Sequence, residues 1–126
     1  MDRQVIDQTI VRELKDLSSG AESSFFLDQV LLFSRRGRQS LTALDGALSS
    51  GERAAAGRAA HALAGSAAVI GAARLSELCL DLEERQARWD DLTLQRSVQA
   101  IHREFAEAER LLAGEASDVF ITVDRG

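Results

Sequence analysis

AAHALAGSAAVIGAARLSELCLDLEE, residues 59–84, holds two amphipathic helices back to back around a glycine. Apolar residues recurring every three or four positions mark one face of a helix. Ala56, Ala59, Ala60, Leu63, Ala67 and Ile70 make such a stripe, so a helix is predicted from about Glu52 to Ile70. Gly71 supplies the left-handed residue that lets the chain reverse tightly. The next helix follows at once, with Leu75, Leu78, Cys79, Leu82 and Trp89 as its stripe. At 100° per residue, His61, Ala64, Gly65 and Ala68 fall on a different face from the alanine stripe, which turns His61 toward solvent.

The flanking segments repeat the pattern. Ile6, Ile10, Leu14 and Leu17 predict a short first helix, ended by the Ser-Ser-Gly at 18–20. Phe26, Val30, Phe33, Leu41, Leu44 and Leu48 predict a long second helix, stopped by the Ser-Ser-Gly at 49–51. Gly37 and Ser40 lie on that stripe, where small residues signal either a close helix approach or a local bend. Leu94, Val98, Ile101, Phe105, Ala108 and Leu112 keep to one narrow face of a last helix, capped at its start by Asp90 or Asp91. The absence of proline leaves every long segment free to be helical throughout. The expectation is an all-α, up-down-up-down four-helix bundle with an additional short N-terminal helix covering one end. Residues 1–126 form a single domain with its core bundle at about 22–113. The tail 114–126 stays unassigned, because the β-branched run from Val119 to Val123 is too short to make a stable strand alone.

Composition narrows the function. At 126 residues, 45% hydrophobic and 28% charged, the chain has enough apolar content for one core and too much for disorder. No apolar run approaches the ~20 residues of a membrane span, and the N-terminus lacks the apolar core of a signal peptide, so a cytoplasmic location is expected. A net charge of −5 disfavours nucleic acid, which needs a clustered basic surface. The single cysteine, Cys79, rules out an intrachain disulfide and a cysteine-based metal cluster. Neither histidine has a glutamate three residues before it, so the inward Glu-x-x-His pairs of a di-metal bundle are missing. The serine clusters sit at helix boundaries, where capping accounts for them. His102 on the last helix reads as a solvated or partly packed side chain.

His61, Leu63, Gly65, Ser66, Gly71, Leu75, Leu82 and Glu83 together resemble the phosphoacceptor motif of histidine-containing phosphotransfer (HPt) domains. One position departs: Ala64 stands where that family usually has a lysine. The resemblance implies a helical bundle whose exposed His61 accepts a phosphoryl group from a receiver-domain aspartate and passes it to another receiver. Gly65, one turn after His61 on the same face, reads as open space beside a phosphoryl group or as a residue permitting close helix packing, and the resemblance implies Glu83 as a polar residue able to orient the imidazole. Arg58, three residues before His61, is the candidate replacement for the missing lysine charge. Ala68 and Ala72, with Ala64, are expected to give a flat, partly apolar docking surface.

The implied partners are response-regulator receiver domains and a hybrid sensor histidine kinase, with no nucleic acid and no membrane contact. No cofactor or metal is expected on this chain, since Mg²⁺ belongs to the receiver. No glycine-rich nucleotide loop is present, so autokinase activity is not expected. Ala64 keeps a rival open, a non-catalytic bundle of the same fold that binds and regulates a signalling partner.

Overall fold

The computed structural model describes residues 4–18 and 24–125, with side chains as far as residue 117. Over these residues the chain is all helical, with no strand: α1 (Gln8–Asp16), α2 (Phe25–Ser50), α3 (Arg53–Ile70), α4 (Ala73–Arg85) and α5 (Asp91–Arg125). Among them no helix is long and apolar enough to cross a membrane. α2 packs on α3, α3 on α4, α4 on α5 and α5 back on α2, closing a ring, while α1 lies against α2 and α3.

Two glycines set the tight reversals. Gly51 (φ 70°) and Gly71 (φ 85°) both take the left-handed conformation, which an L side chain resists. The N–H groups of Glu52 and Ala72 then donate back to Ala47 (2.9 Å) and Ala67 (2.8 Å), satisfying carbonyls that the helix ends leave unpaired. α1 seats on the second reversal. Asp7 caps α1 by accepting from Thr9 N–H (3.0 Å) and donates its own N–H to the Gly71 carbonyl (2.7 Å). Buried Ser18 ties α1 to α2, its hydroxyl donating to Leu14 and accepting from Phe26 N–H. Ser18 thus satisfies an unpaired end group on each of two helices, and residues 19–20 of the expected stop lie outside the described residues.

α5 begins where Asp90 accepts from Thr93 N–H at 2.7 Å, and Thr93 and the nearby arginines hold the Asp90 carboxyl below its ordinary value. Asp91, in the first turn, instead pairs with Arg53 at 2.8 Å. The core is the set of stripes meeting inside the ring, with Phe26, Leu44, Leu63, Ile70, Leu75, Leu82, Ile101 and Leu112 fully enclosed. Burying each such side chain contributes about 1.5–3 kcal/mol.

Two expectations need correction, and the tail left unassigned from the sequence takes a definite form. The spacing predicts Ile6, Ile10, Leu14 and Leu17 as the α1 stripe, but Leu17 is exposed and Val11 is the buried residue of the helix. α1 runs only from Gln8 to Asp16, so Ile6 and Leu17 fall beyond its ends, where the 100° step no longer holds. Trp89 lies beyond α4, half-buried in the link to α5, because α4 stops at Arg85 and Arg53 reaches across to the Gln86 carbonyl. The tail is helix rather than an unassigned or extended segment: α5 continues through it to Arg125, anchored by buried Ala116 and by a Glu115–Lys15 ion pair to α1. Extending a formed helix adds a hydrogen bond for each residue fixed, and no proline interrupts it.

The two alternatives at Gly37 also resolve. α2 is unbroken there, and a Cβ on Gly37 would lie 2.1 Å from Phe105 Cε1, so the glycine serves a close approach of α2 to α5. The Phe105 ring is itself pinned against Phe33, centroids 5.2 Å apart, and cannot swing clear. We therefore expect Gly37→Ala to lower unfolding free energy by about 1–2 kcal/mol despite alanine's better helix propensity. Urea denaturation checks this, and an unchanged or raised midpoint would show that Phe105 has room to move.

Candidate functional site

α3 is built mostly from small residues, twelve of its 18 being alanine, glycine or serine. Alanine is the best helix former, and a face of alanines and glycine lets neighbouring helices come close. Ala56, Gly57, Ala59, Ala60, Leu63, Ala64, Ala67 and Ile70 are all buried under α2 and α4. Only a narrow strip of α3 remains outside. His61 stands on it with 71% of its side chain exposed, followed by exposed Gly65, Ala68 and Val69.

Across the α3–α4 seam, His61 Nδ1 lies 2.8 Å from Glu83 Oε2. A carboxylate only accepts, so the hydrogen bond places the ring proton on Nδ1 and leaves the Nε2 lone pair free at the tip of the side chain. The same seam explains how Glu83 gets there. A Cβ on Gly57, one turn before His61, would meet the Gln86 side chain at 3.7 Å and the Glu83 Cα at 3.9 Å. Any residue larger than alanine at 57 would push α4 outward and carry Glu83 away from the ring. Sequence reading passed over Gly57; the available signal was a second glycine inside α3 with its helix cost of about 1 kcal/mol.

Ala54, Gly57, Arg58, His61, Glu83 and Gln86 line an open depression beside the ring. Arg58 is exposed within it, so the one cation of the predicted set shares a wall with the imidazole. A second groove runs on the α2 side of the strip, where Gln29, Leu32 and Arg36 face Gly65, Ser66 and Val69. A Cβ on Gly65 would meet nothing within 4 Å, which excludes helix packing as the reason for that glycine.

Two predicted residues are not at the surface. Ala64 is 3% exposed and Ala72 fully buried. Ala64 is only 60° around the helix from His61, but on the flank that α4 covers, where Ser76 donates its hydroxyl to the Ala64 carbonyl. Ala72 sits in the turn between α3 and α4, tucked beneath it by the reversal at Gly71. Of the predicted docking residues, Ala68 alone faces out, and exposed Val69 joins it.

The remaining reactive side chains lie elsewhere. Cys79 is buried, and burial pushes its thiol up to about 12, far from a usable nucleophile. His102 is paired too, its Nε2 lying 2.7 Å from Asp45 Oδ1 across the α2–α5 seam. Asp45 was not singled out from the sequence, because nothing local brings it to His102. Among the described residues no group of three or more His, Cys, Asp or Glu side chains gathers to hold a metal.

Comparison with known proteins gives a consistent result. The family model described as "Hpt domain" matches residues 30–115. The crystal structure of histidine-containing phosphotransfer protein B from Pseudomonas aeruginosa PAO1 superposes with a TM-score of 0.80 at 23% identity, covering 93% of this chain and 98% of that one. At that identity the likeness is one of fold. No curated protein matches the sequence significantly.

Because Gly65 touches nothing, Gly65→Ala is expected to raise unfolding free energy by about 0.5–1 kcal/mol in a denaturant titration. A loss of stability would instead mean that the glycine has a packing role.

Proposed function

The chain belongs to the Hpt domain family, the histidine phosphotransfer modules of phosphorelays, and on that premise we propose that His61 is its phosphoacceptor. The observation that carries the proposal is an imidazole 71% exposed with Nδ1 engaged by Glu83 and Nε2 unobstructed. Neutral His61 attacks the phosphorus of a receiver's aspartyl phosphate through Nε2, and the resulting phosphohistidine passes the group to a second receiver. The donors and acceptors are response-regulator receiver domains, with a hybrid sensor kinase as the source, all in the cytoplasm.

Phosphoryl transfer depends mainly on alignment and charge neutralisation. The receiver's own acidic pocket and Mg²⁺ supply most of the neutralisation, so this chain needs no metal or cofactor of its own. Its contribution is the nucleophile, the ring orientation set by Glu83, and a landing area. We assign that landing area to Gly65, Ala68 and Val69, with the α2 groove beside them. Such a surface is flat and partly apolar, suited to a second protein. We also infer that α2 to α5 run up-down-up-down, which is supported by the two-residue links at 51–52 and 71–72 and the closed ring of helix contacts.

Ala64 offers no cation, and its burial means that the usual lysine position carries no charge here. Arg58 takes over that task from the other side of the ring.

Incubation with phosphorylated receivers is expected to place acid-labile, base-stable label on the wild type and none on His61→Gln. Tight receiver binding without any label would favour a docking module of the same fold. Arg58→Ala is expected to slow transfer or shorten the phosphohistidine lifetime by about fivefold or less, the worth of an exposed charge pair. If both stay unchanged in a time course, Arg58 is no substitute for the lysine.

A further inference from the structure

The Glu83 carboxylate does more in this geometry than aim the ring. We propose that it holds the Nδ1 proton on His61 after phosphorylation, so that the chain carries its phosphoryl group as a cationic phosphoimidazolium, a form suited to passing the group on rather than storing it. This rests on His61 being the phosphoacceptor.

The step balances without proton movement. The Nε2 lone pair forms the N–P bond, the P–O bond to the donor carboxylate breaks, and that electron pair leaves with the carboxylate. The ring began neutral with its proton on Nδ1, so it ends positive. Standing alone, such a ring sheds the Nδ1 proton to water and becomes a neutral phosphoimidazole. Breaking its N–P bond would then leave the electron pair on an anionic ring, which is a poor leaving group. With Glu83 Oε2 at 2.8 Å from Nδ1, the proton is held in a charge-assisted hydrogen bond. The return step breaks N–P, drops the pair on Nε2, and regenerates neutral His61 with its proton still on Nδ1.

The surroundings leave Glu83 as the anion that governs the ring. From α4 the groove receives Glu83 and the neutral Gln86; from α3 it receives Arg58. On the α2 side Arg36 lines the groove at Gly65, one turn further on. Both cations act against retention of the proton, so retention has to come from the directly bonded carboxylate. Glu83 is itself 38% exposed, so solvent moderates its effect.

Phosphoramidate, a small phosphoryl donor, loads histidine without a cognate receiver and so separates the two layers of the argument. Wild type, Glu83→Gln and Glu83→Ala are labelled, and the ring is followed by ¹⁵N–¹H NMR alongside the rate of phosphoryl loss. Glu83→Gln keeps an oxygen to accept from Nδ1–H but removes the charge. At pH 8 its protonated ring population and its rate of phosphoryl loss are expected to fall roughly threefold below wild type. At pH 6 the difference is expected to disappear, and Glu83→Ala to behave as Glu83→Gln does. If Glu83→Gln instead follows wild type across the pH range, orientation alone is at work and the proposal is overturned. A wild type that takes no label at His61 overturns the phosphoacceptor reading itself, a result that cannot be mistaken for the first.

Discussion

α3 has to be covered on two flanks at once, and the fold works because its side chains are almost absent. Burial of Ala56, Gly57, Ala59, Ala60, Ala64 and Ala67 lets α2 and α4 close around it like walls around a thin partition. Each alanine contributes little apolar area, so the hydrophobic stabilisation comes from the large residues of the walls, Phe26, Leu44, Leu75 and Leu82 among them, together with Leu63 and Ile70 of α3 itself. The result is a helix with one narrow exposed strip, and His61 stands on it. A bulkier α3 would hold the neighbouring helices further off, widen the strip and move Glu83 out of reach of the ring.

The same closeness explains which residue pairs the site can use. Glu83 meets His61 because α4 rides against Gly57, and α4 is directed there by the reversal at Gly71. That reversal is braced from outside by α1, through the Asp7 N–H bond to the Gly71 carbonyl. A side chain larger than alanine at Gly57, or any side chain at Gly71, thus acts on the ring through helix placement, although neither glycine touches it. Gly65 belongs to another class. Nothing crowds it, so its helix cost is not offset by packing, and open space beside the ring is the compensation that fits.

Much of this was legible in the residues themselves. The stripe Ala56, Ala59, Ala60, Leu63, Ala67, Ile70 placed α3's buried face, and the 100° step put His61 outside it. A helical angle gives a direction, however, and not the neighbour that lies along it. Ala64 shows the difference: 60° from His61, it is sealed because α4 lies over that flank, where Ser76 bonds to its carbonyl. Ala72 escaped for a related reason, since a residue in a turn has no helical face to be read from. Trp89 falls outside its expected helix and the tail stays unread because apolar spacing continues past a helix end or stops short of it without local warning. Gly37 resolved only with Phe105, a partner 68 residues distant in sequence, in view.

The chain offers two histidines in the same kind of pair, and the comparison shows what distinguishes a site from a seam. In both, a carboxylate on a neighbouring helix holds one ring nitrogen, at 2.8 Å for His61 and 2.7 Å for His102. They differ in which nitrogen is tied. Glu83 takes Nδ1 of His61, the nitrogen nearer the backbone, so the free Nε2 projects from the tip with a groove on either side of the strip. Asp45 takes Nε2 of His102, so the tip is occupied and the free nitrogen is Nδ1, close against its own helix. A phosphorus atom arriving in line with a ring lone pair, and carried by a second protein, meets a free tip nitrogen in the first arrangement and one already engaged by a carboxylate in the second. His102 with Asp45 therefore works as a polar clasp between α2 and α5, while an equally short bond made through the other nitrogen leaves His61 open to chemistry.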